Sequence, residues 1–174
     1  MDPSALALKQ ITLSASLLAA CGVGQAAGEL QMQDVPVGAK GSFSMAVAPE
    51  HLASQFKDSI LPPVFATPMM ILAMENAALN AVRDFLDPGE TAVGTKVDVS
   101  HLAPTAVGCR VRAEAEVVAV EGSHIRFTVA AWDDVEEIGR GTHERTVVDL
   151  SRLATRLDSK QRGSGVLQRR SPEA

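Results

Sequence analysis

Five residues of this 174-residue sequence are of types that could carry acyl chemistry: Thr67, Glu75, Gly94, His101 and Arg145. A hydroxyl can attack an acyl carbon or hold water, an imidazole can move its proton, and a carboxylate can orient the imidazole or attack directly. A glycine amide can approach a carbonyl closely and stabilise its oxyanion, and an arginine can hold nearby polar groups. The residue types therefore predict a hydrolytic site without a metal.

One long helix is predicted to carry two of these residues, within 64–86. Thr67 and Pro68 are a good helix start, because threonine can cap the free amides and proline has a preset backbone angle. The segment 87–89 ends the helix. An apolar stripe at spacings of three and four is expected to bury Glu75, which makes its carboxylate a candidate for acid/base work. The members of this stripe are Leu72, Glu75, Leu79, Val82 and Leu86.

Alternating patterns predict five strands, at 41–48, 91–101, 109–120, 124–132 and 137–150. In the third strand the apolar residues from Val111 to Val117 face one way and the charged residues face the other. Gly139 and Gly141 are expected to let another backbone or a ligand approach the last strand. One strand, a long helix and four strands predict an α+β hot-dog fold, in which an antiparallel sheet wraps one helix. Its open edge predicts at least a homodimer.

The composition excludes several classes of site. No tyrosine and one tryptophan are present, and the net charge is −5, which argues against a nucleic-acid partner. Cys21 and Cys109 are the only cysteines, so neither a disulfide framework nor a cysteine-based metal site is predicted. The four histidines lack metal-ligand spacing, and we expect no metal.

The sequence predicts three parts: an N-terminal extension at 1–36, a hot-dog domain at 37–150 and a basic tail at 151–174. The tail is expected to form a short helix that frays into disorder. The apolar run 11–22 fits a signal segment better than a membrane span, and no other stretch is long enough to cross a bilayer. We expect a cytoplasmic protein, because a secretory signal requires clear positive charge ahead of that run. The alternatives are an organellar protein or an exported lipoprotein that is lipidated at Cys21.

The segment from about Val37 to Asp149 resembles the fluoroacetyl-CoA thioesterase family of hot-dog proteins. The residues that carry the resemblance are Val64–Thr67, Glu75, Asp87–Glu90, Gly94–Thr95, His101 and Glu137–Arg145. The resemblance implies an acyl-CoA thioesterase with Thr67, Glu75 and His101 as catalytic residues. It also implies that Gly94 and Arg145 support substrate binding and that no cofactor is needed, since CoA is part of the substrate.

The connector departs from the family pattern. Asp58 and Leu61 stand where the family's fluoroacetate-resistance enzyme has lid phenylalanines, so we expect a thioesterase without fluoroacetyl selectivity that acts on a small or medium acyl group. The alternative function is a non-catalytic acyl-CoA-binding or ligand-sensing module.

Each candidate residue also has a purely structural interpretation. Thr67 could be only a helix cap, and Glu75 could pair with a backbone amide or with Arg145. Arg145 could pair with a glutamate across the sheet. The other histidines are expected on the surface or at the rim of the site; they are His51, His124 and His143.

Overall fold

The computed structural model describes residues 34–56 and 60–167. The strands are β1 Lys40–Ala46, β2 Glu90–His101, β3 Arg110–Glu121, β4 His124–Trp132 and β5 Glu137–Asp149. The helices are α1 Ala53–Phe56, α2 Thr67–Val82 and α3 Leu150–Leu167, and single 3-10 turns form at Pro49–His51 and Arg83–Phe85. The strands make one antiparallel sheet in the order β1-β3-β4-β5-β2, and α2 packs across one face of it. The predicted hot-dog fold is confirmed.

The predicted alternation of β3 and β4 is also confirmed. The apolar residues of β3 from Val111 to Val117 are at most 3% exposed. Ile125, Phe127 and Val129 of β4 are equally buried against α2. Ion pairs such as Lys40 with Glu116 lie on the opposite, wet face. Each strand therefore has one core face, as expected for an antiparallel sheet that is covered on one side.

The buried face of α2 differs from the predicted stripe. Val82 is the one member of that stripe that is fully buried, and the rest of the face consists of alanines and methionines: Met70, Ala73, Met74, Ala77, Ala78 and Ala81. Leu72 is 43% exposed, and Glu75 is half-buried. The reason is close packing, because a Cβ placed on Gly41 of β1 would overlap the Ala77 carbonyl oxygen and the Ala81 amide. A helix that lies this near a sheet must present small side chains to it.

The connection from β2 to β3 crosses the sheet. The two strands are consecutive in sequence, but β2 pairs with β5 at one edge, whereas β3 lies between β1 and β4. The crossover, 102–109, is tied down by Thr105, whose hydroxyl donates to Asp133 Oδ2 at 2.9 Å. The Thr105 carbonyl accepts a hydrogen bond from Phe65 N at 2.8 Å. The loop after His101 is thereby attached to the segment just before Thr67.

The tail forms a longer helix than predicted. α3 spans Leu150–Leu167, and its first turn is capped by Asp149, whose carboxylate accepts a hydrogen bond from Arg152 N at 2.8 Å. Within 34–56 and 60–167, no helix has the length and apolar character needed to cross a membrane. The predictions for residues 1–33 of the N-terminal extension, including lipidation at Cys21, lie outside the described residues. Asp58 also lies outside them.

Candidate active site

Thr67 and His101 are in direct contact. α2 begins at Thr67, but its N-cap is Ala66, and no side chain caps the helix. The Thr67 Oγ1 atom instead lies 2.9 Å from His101 Nδ1. The interpretation of Thr67 as only a helix cap is therefore wrong. The exposed threonine hydroxyl is paired with a base and remains accessible from solvent.

The environment of His101 favours its neutral form. Burial lowers the pKa of this imidazole, and the nearby Ala103 main chain only partly offsets the effect. His101 Nε2 is buried and has no hydrogen-bond partner in the described part of the chain. When the Thr67 hydroxyl donates to Nδ1, the second nitrogen carries the ring proton. Nδ1 is then free to take the hydroxyl proton, which is what a general base requires.

A β-bulge places Gly94 and His101 on the same face of β2. The two residues are seven positions apart, so a regular strand would point them to opposite faces. Gly94 pairs with Arg145 and Lys96 pairs with Glu144, which leaves Thr95 without a counterpart in β5. This extra residue reverses the alternation between Gly94 and His101. Both then face α2, Gly94 opposite Glu75 and His101 opposite Thr67.

The Glu75 carboxylate lies beside Gly94. A Cβ on Gly94 would be 2.8 Å from Glu75 Oε1 and 3.1 Å from His143 Cε1, so only glycine leaves this space free. Within the described ranges the carboxylate makes no hydrogen bond to His101 and no ion pair with Arg145. The predicted orienting role of Glu75 toward His101 thus has no supporting contact. The carboxylate is placed instead at the Gly94 end of the site.

Arg145 is an interior residue. It is 7% exposed, and its Nη1 donates to the Glu75 main-chain carbonyl at 3.1 Å while its Nη2 donates to the Ala92 carbonyl. The cross-sheet pairing with a glutamate is therefore wrong. Burial lowers the pKa of Arg145, and the Glu75 charge partly restores it. This guanidinium ties the backbone of α2 to the backbone of β2 and thereby fixes the two walls of the site.

His143 is the residue that sequence reasoning misplaced. The prediction of a surface or rim position is wrong for His143, which is 1% exposed and contacts Arg145. The period of two in a strand could have predicted this position, because His143 and Arg145 lie on the same face of β5 as Val147, which is buried in the core. His51 and His124 are half-buried, and His124 contacts Glu144 and Thr146 on the face of the sheet that points away from α2. The described residues contain no cluster of His, Cys, Asp or Glu that could hold a metal.

A groove of about 420 Å³ lies away from these residues. It is lined by the outer faces of β1, β3 and β4, including Lys40, Glu116 and Trp132, and it contains none of the five predicted site residues. The chemical groups and their contacts, rather than this concavity, identify the candidate site.

The chain is similar to several known proteins. The family model described as FlK, fluoroacetyl-CoA-specific thioesterase, matches residues 47–151. The fluoroacetyl-CoA thioesterase of Streptantibioticus cattleyicolor is 42% identical over 99 residues, which are 57% of this chain and 71% of that protein. The solved structure of the fluoroacetyl-CoA thioesterase FlK superposes with a TM-score of 0.70 at 34% identity, covering 74% of this chain and 98% of that chain.

A second solved structure is similar over an even larger part of the chain. A hypothetical protein of Thermus thermophilus, described as a thioesterase superfamily member, gives a TM-score of 0.70 at 29% identity and covers 77% of this chain and 99% of that one. The match of the family model over more than half of the sequence agrees with both structural similarities. This chain belongs to the fluoroacetyl-CoA-specific thioesterase family.

Proposed function

We propose that this protein is an acyl-CoA thioesterase that hydrolyses the thioester of a small or medium acyl-CoA. The observation that carries the proposal is the contact of 2.9 Å between Thr67 Oγ1 and His101 Nδ1, in a chain of a thioesterase family. A hydroxyl that is hydrogen-bonded to a neutral imidazole is the arrangement that activates an oxygen nucleophile. No cofactor is needed, since a thioester is already an activated acyl group.

In this reaction His101 Nδ1 takes a proton from the Thr67 hydroxyl, or from a water molecule that the hydroxyl holds. The oxygen attacks the thioester carbonyl, and the Gly94 amide stabilises the resulting oxyanion. The carbon–sulfur bond then breaks, and the departing CoA sulfur receives the proton from His101. If Thr67 itself attacked, water hydrolyses the acyl-threonine ester in a second step that uses the same base.

Glu75 is assigned to the acyl side of the site. Its carboxylate lies beside Gly94 and has no contact with His101, so it can attack the acyl carbon or activate water there. Acid quenching during turnover, followed by peptide mass analysis, distinguishes these routes by an acyl group on Thr67, on Glu75 or on neither. A folded Glu75→Gln variant that keeps full turnover would remove Glu75 from the mechanism.

The test of the function is free-thiol release from a panel of acyl-CoAs, from acetyl and fluoroacetyl through branched and aromatic to long-chain. We expect turnover of a small or medium member without preference for fluoroacetyl, and a loss of about 10²- to 10⁴-fold in His101→Ala. Tight binding of the panel without turnover would instead indicate a ligand-sensing module. His124→Ala, which alters a half-buried histidine on the far side of the sheet, is the matched control.

We propose a homodimer for the active form. β2 is an edge strand of the sheet, and residues 94–98 along it are exposed. Val97 of this strand is 37% exposed, which leaves apolar surface for a second copy to cover. Analytical ultracentrifugation of the parent and of Val97→Glu tests this, since the variant should dissociate. A monomeric parent that is fully active would contradict it.

The proposed compartment is the cytoplasm. Intact-mass measurement of protein from the native host checks this, because a diacylated Cys21 would show export as a lipoprotein instead.

A further inference from the structure

His143 is a buried imidazole that the proposed mechanism does not use. Its Nδ1 lies 2.8 Å from the Lys96 main-chain oxygen, and its Nε2 lies 3.2 Å from Arg145 Nη1. A carbonyl oxygen only accepts hydrogen bonds, and a guanidinium only donates them. Nδ1 must therefore carry the proton, and Nε2 must offer its lone pair. The two partners fix both the tautomer and the neutral state of this ring.

One of these contacts holds the β-bulge. Lys96 is the first residue that pairs with β5 after Thr95, the unpaired residue. Its carbonyl is bound by an inward-facing side chain of the neighbouring strand, across the site of the bulge. On the outer face, Thr95 Oγ1 donates to the Glu144 carbonyl at 3.2 Å. The bulge is thus attached to β5 from both faces of the sheet, and His143 supplies the inner attachment.

The other contact holds Arg145. This guanidinium donates to main-chain carbonyls of both α2 and β2, at Glu75 and Ala92. His143 Nε2 gives it a third acceptor and so restricts where its plane can lie. The ring of His143 is itself packed on Phe127, with centroids 6.1 Å apart and planes at 29°. The imidazole is therefore a rigid link between the bulge in β2 and the guanidinium that holds α2.

We propose that His143 is a positioning residue for the thioesterase reaction, because it holds the Thr95 bulge and the Arg145 guanidinium in one fixed arrangement. Through the bulge it keeps Gly94 on the same face as His101. Through Arg145 it keeps the Glu75 segment of α2 at its distance from β2. The inference rests on the proposed function for its effect on turnover, but the arrangement itself can be tested without turnover.

Three substitutions separate the two contacts. His143→Asn keeps a donor near the Nδ1 position and offers nothing near Nε2, whereas His143→Gln places an acceptor near Nε2. His143→Phe removes both contacts and keeps an apolar ring against Phe127. We expect kcat to fall about ten- to hundredfold in the Phe variant while KM changes less than about threefold, since a displacement of about 1 Å has that effect on turnover. The Asn and Gln variants should each recover part of kcat.

His124→Phe is the matched control, because it alters a half-buried histidine on the neighbouring strand whose ring is hydrogen-bonded to Thr146 and Glu144 on the outer face of β5. It should leave kcat unchanged. A purely structural role for His143 would lower the melting temperature and leave kcat of the folded protein alone, with no recovery in Asn or Gln. That pattern would overturn the proposal.

Two measurements need no substrate. Nitrogen-15 NMR of the imidazoles should show His143 as a neutral ring with a slowly exchanging Nδ1 proton, and the opposite tautomer would overturn the proposal. Hydrogen exchange at residues 94–97 should become faster in His143→Phe and stay as in the parent in His124→Phe. If the parent hydrolyses no acyl-CoA but both of these results are obtained, the proposed function is wrong and the positioning of the bulge by His143 is still supported. If hydrogen exchange at these residues is unchanged in His143→Phe, the positioning role itself is overturned.

Discussion

The space between Gly94 and Glu75 makes Gly94→Ala the most informative single substitution. The added Cβ would lie 2.8 Å from Glu75 Oε1, so the carboxylate must move by about 0.6 Å to reach the 3.4 Å at which ordinary contact begins. Glu75 is half-buried and its oxygen lies at the far end of a flexible side chain, so the movement is easy for the fold. We expect a loss in the free energy of unfolding of about 1 kcal/mol, at the low end of the cost of overpacking, because the carboxylate can move.

The effect on catalysis should be much larger. A shift of this size in a group that acts on the acyl carbon costs about ten- to hundredfold in kcat, and contact with the His143 ring adds to the disturbance. Steady-state thiol release and urea denaturation of the same preparation measure the two effects together. Gly163→Ala is the matched control, since a Cβ there meets nothing within 4 Å. Full kcat in a stably folded Gly94→Ala would refute the assignment of Gly94 and Glu75 to the site.

Four further outcomes are expected. Burial lowers the pKa of His101 and of His143, so the unfolded chain binds protons before the folded protein does as the pH falls. The free energy of unfolding should therefore be highest above about pH 6.5 and should decrease as the pH falls from there through the folded-state pKa values. Urea denaturation should show a smaller decrease with pH in His143→Gln than in the parent. The acid limb of kcat/KM should lie below the ordinary histidine pKa because neutral His101 is the base, and a limb above about 6.5 would contradict this role. Thr105→Val should lower the free energy of unfolding by about 1 kcal/mol in chemical denaturation, because Asp133 loses a hydrogen-bond donor but keeps access to water. Thr105→Ser should recover most of this loss. Gly41→Ala should lower the free energy of unfolding by about 1–3 kcal/mol or more, because the atoms that the new Cβ would meet in α2 are main-chain atoms that cannot move independently. Thermal unfolding measures this, and an unchanged melting temperature would show that α2 can shift.

Much of the fold could be predicted because alternation is a local property of a strand. Val111 to Val117 show a period of two in sequence, and the same residues are buried in the structure. The face of α2 was harder to predict, because Leu72 and its neighbours at helical spacing look more hydrophobic than the alanines that pack on the sheet. The choice between these faces depends on how closely β1 approaches the helix at Gly41, which is a tertiary contact.

The candidate residues could be proposed from their types, but how they lie relative to one another could not. The contact between Thr67 and His101 joins the start of a helix to the end of a strand, and the residue types alone suggested it. The bulge at Thr95 left no clear mark in the local pattern, since an extra residue is defined only by the strand that pairs with it. His143 was missed because histidine is common at surfaces, and only its parity with Val147 indicated the interior.

The Thr95 bulge has a consequence for comparing relatives. Since the shared face of Gly94 and His101 depends on one unpaired residue, the number of residues between them is constrained as strictly as their identities. A homologue that lost one residue in this interval would retain every candidate side chain in its alignment, yet a straightened strand would point Gly94 and His101, the proposed oxyanion donor and base, to opposite faces. Motif searches that tolerate gaps would still score such a chain as an enzyme. In a library of single-residue deletions, positions 95 and 96 should therefore be as intolerant as the proposed catalytic residues, although the side chains of Thr95 and Lys96 contact Glu144 and none of the five candidate residues.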